Sequence, residues 1–258
     1  AVKEEYLRVK ADPLAGIGQY AFLEQMDVAL SGAKRHELWL HAAFTGGMKS
    51  TFMLNWAYNQ AVIYKHDSVI FSLEMPYGQC RRIIYAIHSM HPKFREIRMR
   101  LGLQVQLDAD VGLPYTNIRD GELDEFHPNA EEFYLDYVIP DFNGQDVIKH
   151  PFFKADDYGK IHIEVADPDK DDFTMVDLRS TAEVIYSKAP FRMIFVDHCG
   201  LMSPRRFHRS KTDNINEVLR DLKKLALSFN RGQGIAVVGL HQINREGYKM
   251  ALKAKEKT

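Results

Sequence analysis

The sequence predicts an α/β fold built on a mainly parallel sheet flanked by helices. Three observations carry that prediction. Short apolar runs recur at His36–Ala42 (HELWLHA), Ser68–Leu73 (SVIFSL), Lys160–Val165 (KIHIEV), Phe191–Asp197 (FRMIFVD) and Ile235–His241 (IAVVGLH), as in strands buried on both faces. Helical patterns separate them at Ser50–Tyr64, Tyr77–Met90, Met175–Ser187 and Ile215–Asn230; in the last, Val218, Leu222, Leu225 and Phe229 share one face. The chain, 258 residues with 45% hydrophobic and 11% aromatic content, is large enough to fill a core between such layers.

The elements follow in order. Residues 1–35 read as a linker, charged and helix-like over the first ten, with a second helical stretch at Tyr20–Leu30 where Phe22, Leu23 and Met26 recur at helical spacing. Residues 36–258 form the main domain. An insertion at about 102–160 interrupts its rhythm. This region holds Pro114, Pro128, Pro140 and Pro151 among aromatic residues such as Phe126, Phe133, Tyr134, Tyr137 and Phe142. A disordered acidic linker would be poorer in aromatics, so a partly folded insertion is expected.

Charge separates along the same lines. The net charge of −1 averages two opposites: residues 108–172 hold 18 acidic and 5 basic side chains, and the remainder holds 17 and 29. The acidic stretch is expected to serve as a docking surface for a protein partner or as an electrostatic guard against nucleic acid. Cys80 and Cys199 lie far apart without a C-x-x-C pair, which argues against a disulfide framework or structural zinc and for a reducing, cytoplasmic setting. His88 and His91 near Cys80 complete no ligand set, and His198-Cys199 is a weak case for a nucleophile pair. No apolar run approaches the roughly 18 residues that cross a bilayer, so no membrane partner is expected. The chain opens without Met and ends Lys-rich, as a fragment of a longer protein would.

The first strand runs into Ala43-Phe44-Thr45-Gly46-Gly47-Met48-Lys49-Ser50-Thr51, followed by a helix. Strand, Gly-containing loop, then Lys and Ser at a helix N-terminus is the context of a phosphate-binding P-loop. Lys49 would reach β/γ-phosphates and Ser50 would ligate Mg²⁺. The formal G-x-x-x-x-G-K-[ST] pattern fails at Ala43 and Met48, and Met48 adds a side chain where backbone normally approaches phosphate. The bland alternative is an ordinary Gly turn before a helix. Other residues strengthen the P-loop reading. Met193-Ile194-Phe195-Val196-Asp197 is an apolar strand ending in a carboxylate, the Walker B arrangement. Glu74, after the second strand, stands where a carboxylate polarises attacking water; the alternative for it is a helix-start acid. Gln242, at the end of the fifth strand, offers an amide to a γ-phosphate.

In order, AFTGGMKS, FSLEM, MIFVDHCGLM and VVGLHQINRE resemble the motor domain of DnaB-type replicative helicases, a RecA-like fold. SLEM with Gln79, Arg81 and Arg82 is similar to that family's second motif, and DLKKLALSFN before HQINRE to its later ones. Ile118-Arg119-Asp120-Gly121-Glu122-Leu123 is similar to a short family segment in the intervening region. The resemblance implies ATP and Mg²⁺ held by Thr45 through Thr51, with Asp197 and Ser50 serving the metal. It implies catalysis by Glu74, γ-phosphate sensing by Gln242, and coupling through Arg245. It also implies a homo-oligomer, a hexameric ring, moving on single-stranded DNA. Channel loops would be Ser203–Asn214, with Arg205, Arg206, Arg209, Lys211 and Phe207, and a second near Arg245 with Lys249. Such basic loops neutralise backbone phosphates without reading sequence. The family's primase-interacting domain and its arginine-finger segment have no counterpart in these motifs. An alternative from another class is a RecA-like assembly or regulatory module with slow or absent hydrolysis, which the atypical Met48 favours.

Overall fold

The computed structural model describes residues 3, 7, 10, 18–44, 46–103, 112–143, 158–166 and 172–243. After helix α1 (Glu24–Leu30) come strand β1 (Leu38–Ala43), helix α2 (Lys49–Tyr64), strand β2 (Ser68–Ser72) and helix α3 (Tyr77–His88). A run of short helices follows: α4 (Arg95–Arg100), α5 (Tyr115–Asp120), α6 (Leu123–Phe126), α7 (Ala130–Phe133), a π-turn (Tyr134–Val138) and α8 (Ile139–Asn143). Strand β3 (Ile161–Val165), helix α9 (Met175–Lys188), strand β4 (Met193–Asp197), helix α10 (Lys211–Gly232) and strand β5 (Ala236–Gln242) complete the described chain. The strands form one parallel sheet in the order β1-β5-β4-β2-β3, which is the expected class.

Two-residue alternation divides the sheet between two cores. Ile70, Met193, Phe195, Val238 and Leu240 pack with Met53, Leu54, Trp56 and Ala57 of α2. Val69, Phe71, Ile194, Val196 and Val237 face the other way, onto Leu178 and Ala182 of α9 and Val218, Leu222, Leu225 and Phe229 of α10. The apolar stripe predicted for α10 is therefore its buried face. That helix starts at Lys211, four residues before the predicted Ile215, because the Ser210 hydroxyl accepts the Asp213 N–H and caps it. At its other end Phe229, Asn230 and Arg231 leave helical geometry, close to the predicted stop.

The described part of the insertion is folded. Ile118, Leu123, Ala130, Phe133 and Val138 form a third core with Tyr85 of α3, Phe94 and Leu113. Glu122, Asp124, Glu125, Glu131, Glu132 and Asp136 stay exposed on the outside. Gly121, with φ +75°, ends α5 in the left-handed conformation that glycine tolerates best. Asp141 is the carboxylate that turns inward: it bonds His88 Nε2 at 2.7 Å and also Lys93 and Tyr158. Deleting residues 125–157 would remove Phe133, Val138 and Asp141 from buried positions, so surface charge substitutions are the suitable probe of the acidic face.

Candidate functional site

Strands β1, β5, β4 and β2 end along one edge of the sheet. Ala43 pairs with Gln242 and Ser72 with Asp197, while the Leu73 N–H donates to the Asp197 carbonyl at 2.6 Å. The segments leaving this edge carry Lys49, Ser50, Glu74, Asp197 and Gln242, so parallel register brings together residues spread over nearly two hundred positions. Open α/β sheets bind ligands at this carboxyl edge. A groove of about 450 Å³ flanks β1 elsewhere, lined by Met26, Leu38, Trp39, Phe52 and Trp56 among others, and holds none of these groups.

The turn from β1 into α2 is built around glycines for two different reasons. Gly46 holds φ +76°, a left-handed conformation that costs other residues dearly. At Gly47 a β-carbon would sit 2.9 Å from both Ala43 Cβ and the Phe44 carbonyl oxygen. Met48 then occupies the N-cap of α2 at φ 54°, where an L side chain costs about 1–2 kcal/mol. Its side chain is 75% exposed, so it does not fill the loop as the sequence led one to expect. Lys49 is buried, with Nζ 3.5 Å from the Phe44 carbonyl oxygen; Ser50 is half-buried and Thr51 exposed. Replacing Met48 with Gly is expected to stabilise the chain by about 0.5–1 kcal/mol, the strain relieved less the extra freedom of the unfolded glycine. Urea unfolding measures this, and a loss of stability would mean that the methionine side chain contributes packing.

Asp197 is fully buried, and neither carboxylate oxygen has a hydrogen-bond partner among the described residues. Burial raises its pKa above the usual carboxylate value. The Ser50 hydroxyl opposes the rise without completing a well-aligned hydrogen bond, Glu74 adds to it, and His198 and Lys49 oppose it. A buried carboxylate without partners is rare in a folded protein and points to a ligand. The donor set of hydroxyl and carboxylate oxygens suits a hard divalent cation such as Mg²⁺. The glycine-lined turn and the buried Lys49 suit a phosphate group.

Glu74 projects from just beyond β2 and is about half exposed. His198 stands beside it, with Nε2 3.9 Å from the Glu74 carboxylate. The Gly200 N–H donates to His198 Nδ1 at 3.1 Å, so the proton of the neutral ring sits on Nε2, toward Glu74. Burial lowers the His198 pKa and keeps the ring neutral, although Glu74 and Asp197 pull the other way. The sequence singled out His198 only as half of a weak nucleophile pair with Cys199, and not as a neighbour of Glu74. Its neighbour Cys199 is buried, and burial pushes the thiol up to about 12, which leaves no reactive thiolate. His88 has its own partners, accepting the Tyr58 hydroxyl at Nδ1 and donating from Nε2 to Asp141.

The basic segment after β4 is a loop only as far as Ser210, and Lys211 opens α10. Arg205 Nε pairs with the Asp221 carboxylate at 2.8 Å, and His208 Nε2 with Glu217 at 2.9 Å. Arg206, Phe207 and Arg209 are exposed. The sequence grouped Arg205 with Arg206 and Arg209; the fold separates it from them. It also reveals Asp221 and Glu217, which the sequence showed only as acids among the polar positions of a helix. Thr45, Arg245 and Lys249 lie outside the described residues.

Residues 149–254 match a family model described as the DnaB-like helicase C terminal domain. That range holds β4, α10 and β5 but not the P-loop segment. A replicative DNA helicase DnaB from Haemophilus influenzae is 28% identical over 222 residues, covering 85% of this chain and 37% of its own. The Buchnera aphidicola counterpart is 26% identical, covering 86% of this chain and 38% of its own. The chain thus spans well under half the length of these curated relatives. Among solved structures, one described as an ATPase domain superposes with a TM-score of 0.59 at 20% identity, covering 96% of this chain and 73% of its own. A DnaB-like replicative helicase, described with its interactions with primase, gives the same score and identity and covers 96% and 50%. Residues 149–254 are thus similar in sequence to a DnaB-like helicase C terminal domain, and the chain shares its fold, built on a five-stranded parallel sheet, with these two solved structures.

Proposed function

We propose that this chain is an ATP-hydrolysing motor domain that moves along single-stranded DNA as part of a hexameric ring. One observation carries the reading: the buried, unpartnered Asp197 carboxylate shares a sheet edge with Lys49, Ser50, Glu74 and Gln242. In this reading the Gly46–Gly47 turn and Lys49 hold the β- and γ-phosphates of ATP. Ser50 and Asp197 hold Mg²⁺, which when bound neutralises charge developing on the transferred phosphoryl group. Glu74 orients the attacking water and accepts its proton, and the Nε2–H of His198 keeps that carboxylate directed into the site. Gln242, paired in register with Ala43 at the start of the loop, senses the γ-phosphate, and Arg245 couples this to the second basic segment with Lys249. The loop after β4 contacts DNA. The exposed acidic face of the insertion faces a protein partner in the cytoplasm. The helicase relatives weigh for turnover over a non-hydrolysing assembly module.

Steady-state phosphate release, with and without oligo-dT, tests the proposal. The parent should turn over ATP faster with DNA, and Glu74→Gln should retain ATP binding while losing that turnover. Tight ATP binding without turnover in the parent would instead favour the assembly module.

A further inference from the structure

The loop after β4 sorts its cations by direction. Arg205 reaches back to Asp221, whose carboxylate is only 5% exposed and also accepts Lys224 Nζ at 3.0 Å. Its side chain lines the groove between α9 and α10 with Met175, Val176, Arg179 and Leu225. Three residues on, His208 Nε2 bonds Glu217 at 2.9 Å, one helical turn from Asp221. The His208 N–H donates to Asn214 Oδ1 at 2.7 Å, and Asn214 Nδ2 donates back to the His208 carbonyl at 3.3 Å. Ser203, at the start of the loop, bridges to Thr174 beside α9. Between these anchors Arg206 and Arg209 are exposed and make no ion pair among the described residues, and Phe207 is 73% exposed.

We infer that Asp221 and Glu217 are positioning residues. They pin Arg205 and His208 to α10, so that Arg206, Phe207 and Arg209 are presented together to single-stranded nucleic acid. This rests on the proposed function above and adds a division of labour within the loop. The physical argument is preorganisation. An untethered loop of this length would lose conformational freedom on meeting a ligand, whereas one already fixed at Ser203, Arg205 and His208 loses less and binds more tightly. Arg205 and His208 then contribute through geometry. Arg206 and Arg209 contribute through displaced counterions, and Phe207 offers a ring for a base to stack on.

The two kinds of contribution separate in salt dependence. Binding of labelled oligo-dT to the intact chain is measured across a salt series, with thermal midpoint and nucleotide binding as controls for folding. Arg206→Ala and Arg209→Ala are each expected to flatten the slope of log K against log salt by about 0.7, one phosphate contact on a single strand. Arg205→Gln and Asp221→Asn should weaken binding roughly fivefold with the slope unchanged, and Arg205→Lys should recover much of the loss. Should Asp221→Asn fail to fold, Arg205→Gln, an exposed position, decides alone. A slope flattened by Arg205→Gln as much as by Arg206→Ala would overturn the inference while leaving DNA binding intact. Binding that ignores Arg206 and Arg209 would remove the DNA role of this loop and the inference with it.

Discussion

Replacing Asp197 with Asn is expected to abolish ATP turnover and, in the ligand-free chain, to raise the thermal midpoint. The two effects share a cause. The Asp197 carboxylate is fully buried at the end of β4, and neither oxygen finds a hydrogen-bond partner among the described residues. A charged group held this way costs the fold at least the about 1–3 kcal/mol of an unsatisfied buried polar atom. Removing its charge should return about 1–2 kcal/mol, or about 2–8 °C in midpoint for a domain of this size. Function should move in the opposite direction, because the same carboxylate is the one proposed to hold Mg²⁺, and loss of several kcal/mol of transition-state stabilisation there would slow turnover on the order of 10³-fold.

The pH dependence gives an independent check. Burial raises the folded-state pKa of Asp197 above its unfolded value, so the folded chain holds this proton more tightly than the unfolded one. The group's contribution to stability is therefore greatest below the unfolded pKa and declines as pH rises through the folded value. Asp197→Asn should flatten that part of the profile. Calorimetry across mildly acidic to neutral pH, with phosphate release alongside, measures both effects. A lower midpoint in the variant would mean that the carboxylate is satisfied within the fold and is not held ready for a ligand.

The strands were legible in the sequence because a doubly covered parallel strand is an unbroken apolar run, and β2 to β5 begin or end within two residues of their predicted limits. Convergence of Lys49, Asp197, Glu74 and Gln242 followed from that order, since each ends or follows a strand of a parallel sheet. The start of α10 was readable too. Ser210-Lys211-Thr212-Asp213 has the Ser-x-x-Asp spacing of a helix start, and it lay hidden within a segment read for its charge. Other features carry no local signal. Arg205 and Arg206 are adjacent and chemically identical, and only the position of Asp221 one helix away separates an anchored side chain from an exposed one. Met48 looked like an obstruction, yet a left-handed backbone with its side chain in solvent makes it a cost in strain instead. Among the many insertion carboxylates, nothing nearby in sequence marks Asp141 as the inward one, because its partners His88 and Lys93 come from about fifty residues earlier.

That inward carboxylate underlies the largest expected change in stability: Asp141→Ala should cost about 3–5 kcal/mol, the usual penalty for removing one partner from a buried ion pair. Three donors converge on Asp141. His88 donates from Nε2 at 2.7 Å, the Tyr158 hydroxyl at 3.0 Å, and Lys93 donates to the second oxygen. His88 is fully buried and is itself held at Nδ1 by the Tyr58 hydroxyl at 2.9 Å. Burial works against the Asp141 charge, but His88 and Lys93 outweigh it and hold the carboxyl below its usual pKa. With the folded pKa depressed, the stabilisation is present above the unfolded value and is lost as pH falls through the folded one. The parent should thus show an acid-side loss that Asp141→Ala lacks. Because Asp141 belongs to the insertion, and His88 and Lys93 to the end of α3 and the turn after it, the loss should appear first as opening of the insertion. Hydrogen exchange should report it around Phe133 and Val138 before the sheet strands lose protection. Asp141→Asn, which keeps the shape and an acceptor but not the charge, should fall between parent and alanine variant. If alanine costs less than about 1 kcal/mol, or if insertion and sheet exchange together, the network does not hold the insertion to α3, and the apolar contacts of Tyr85, Phe94 and Phe133 do so without it.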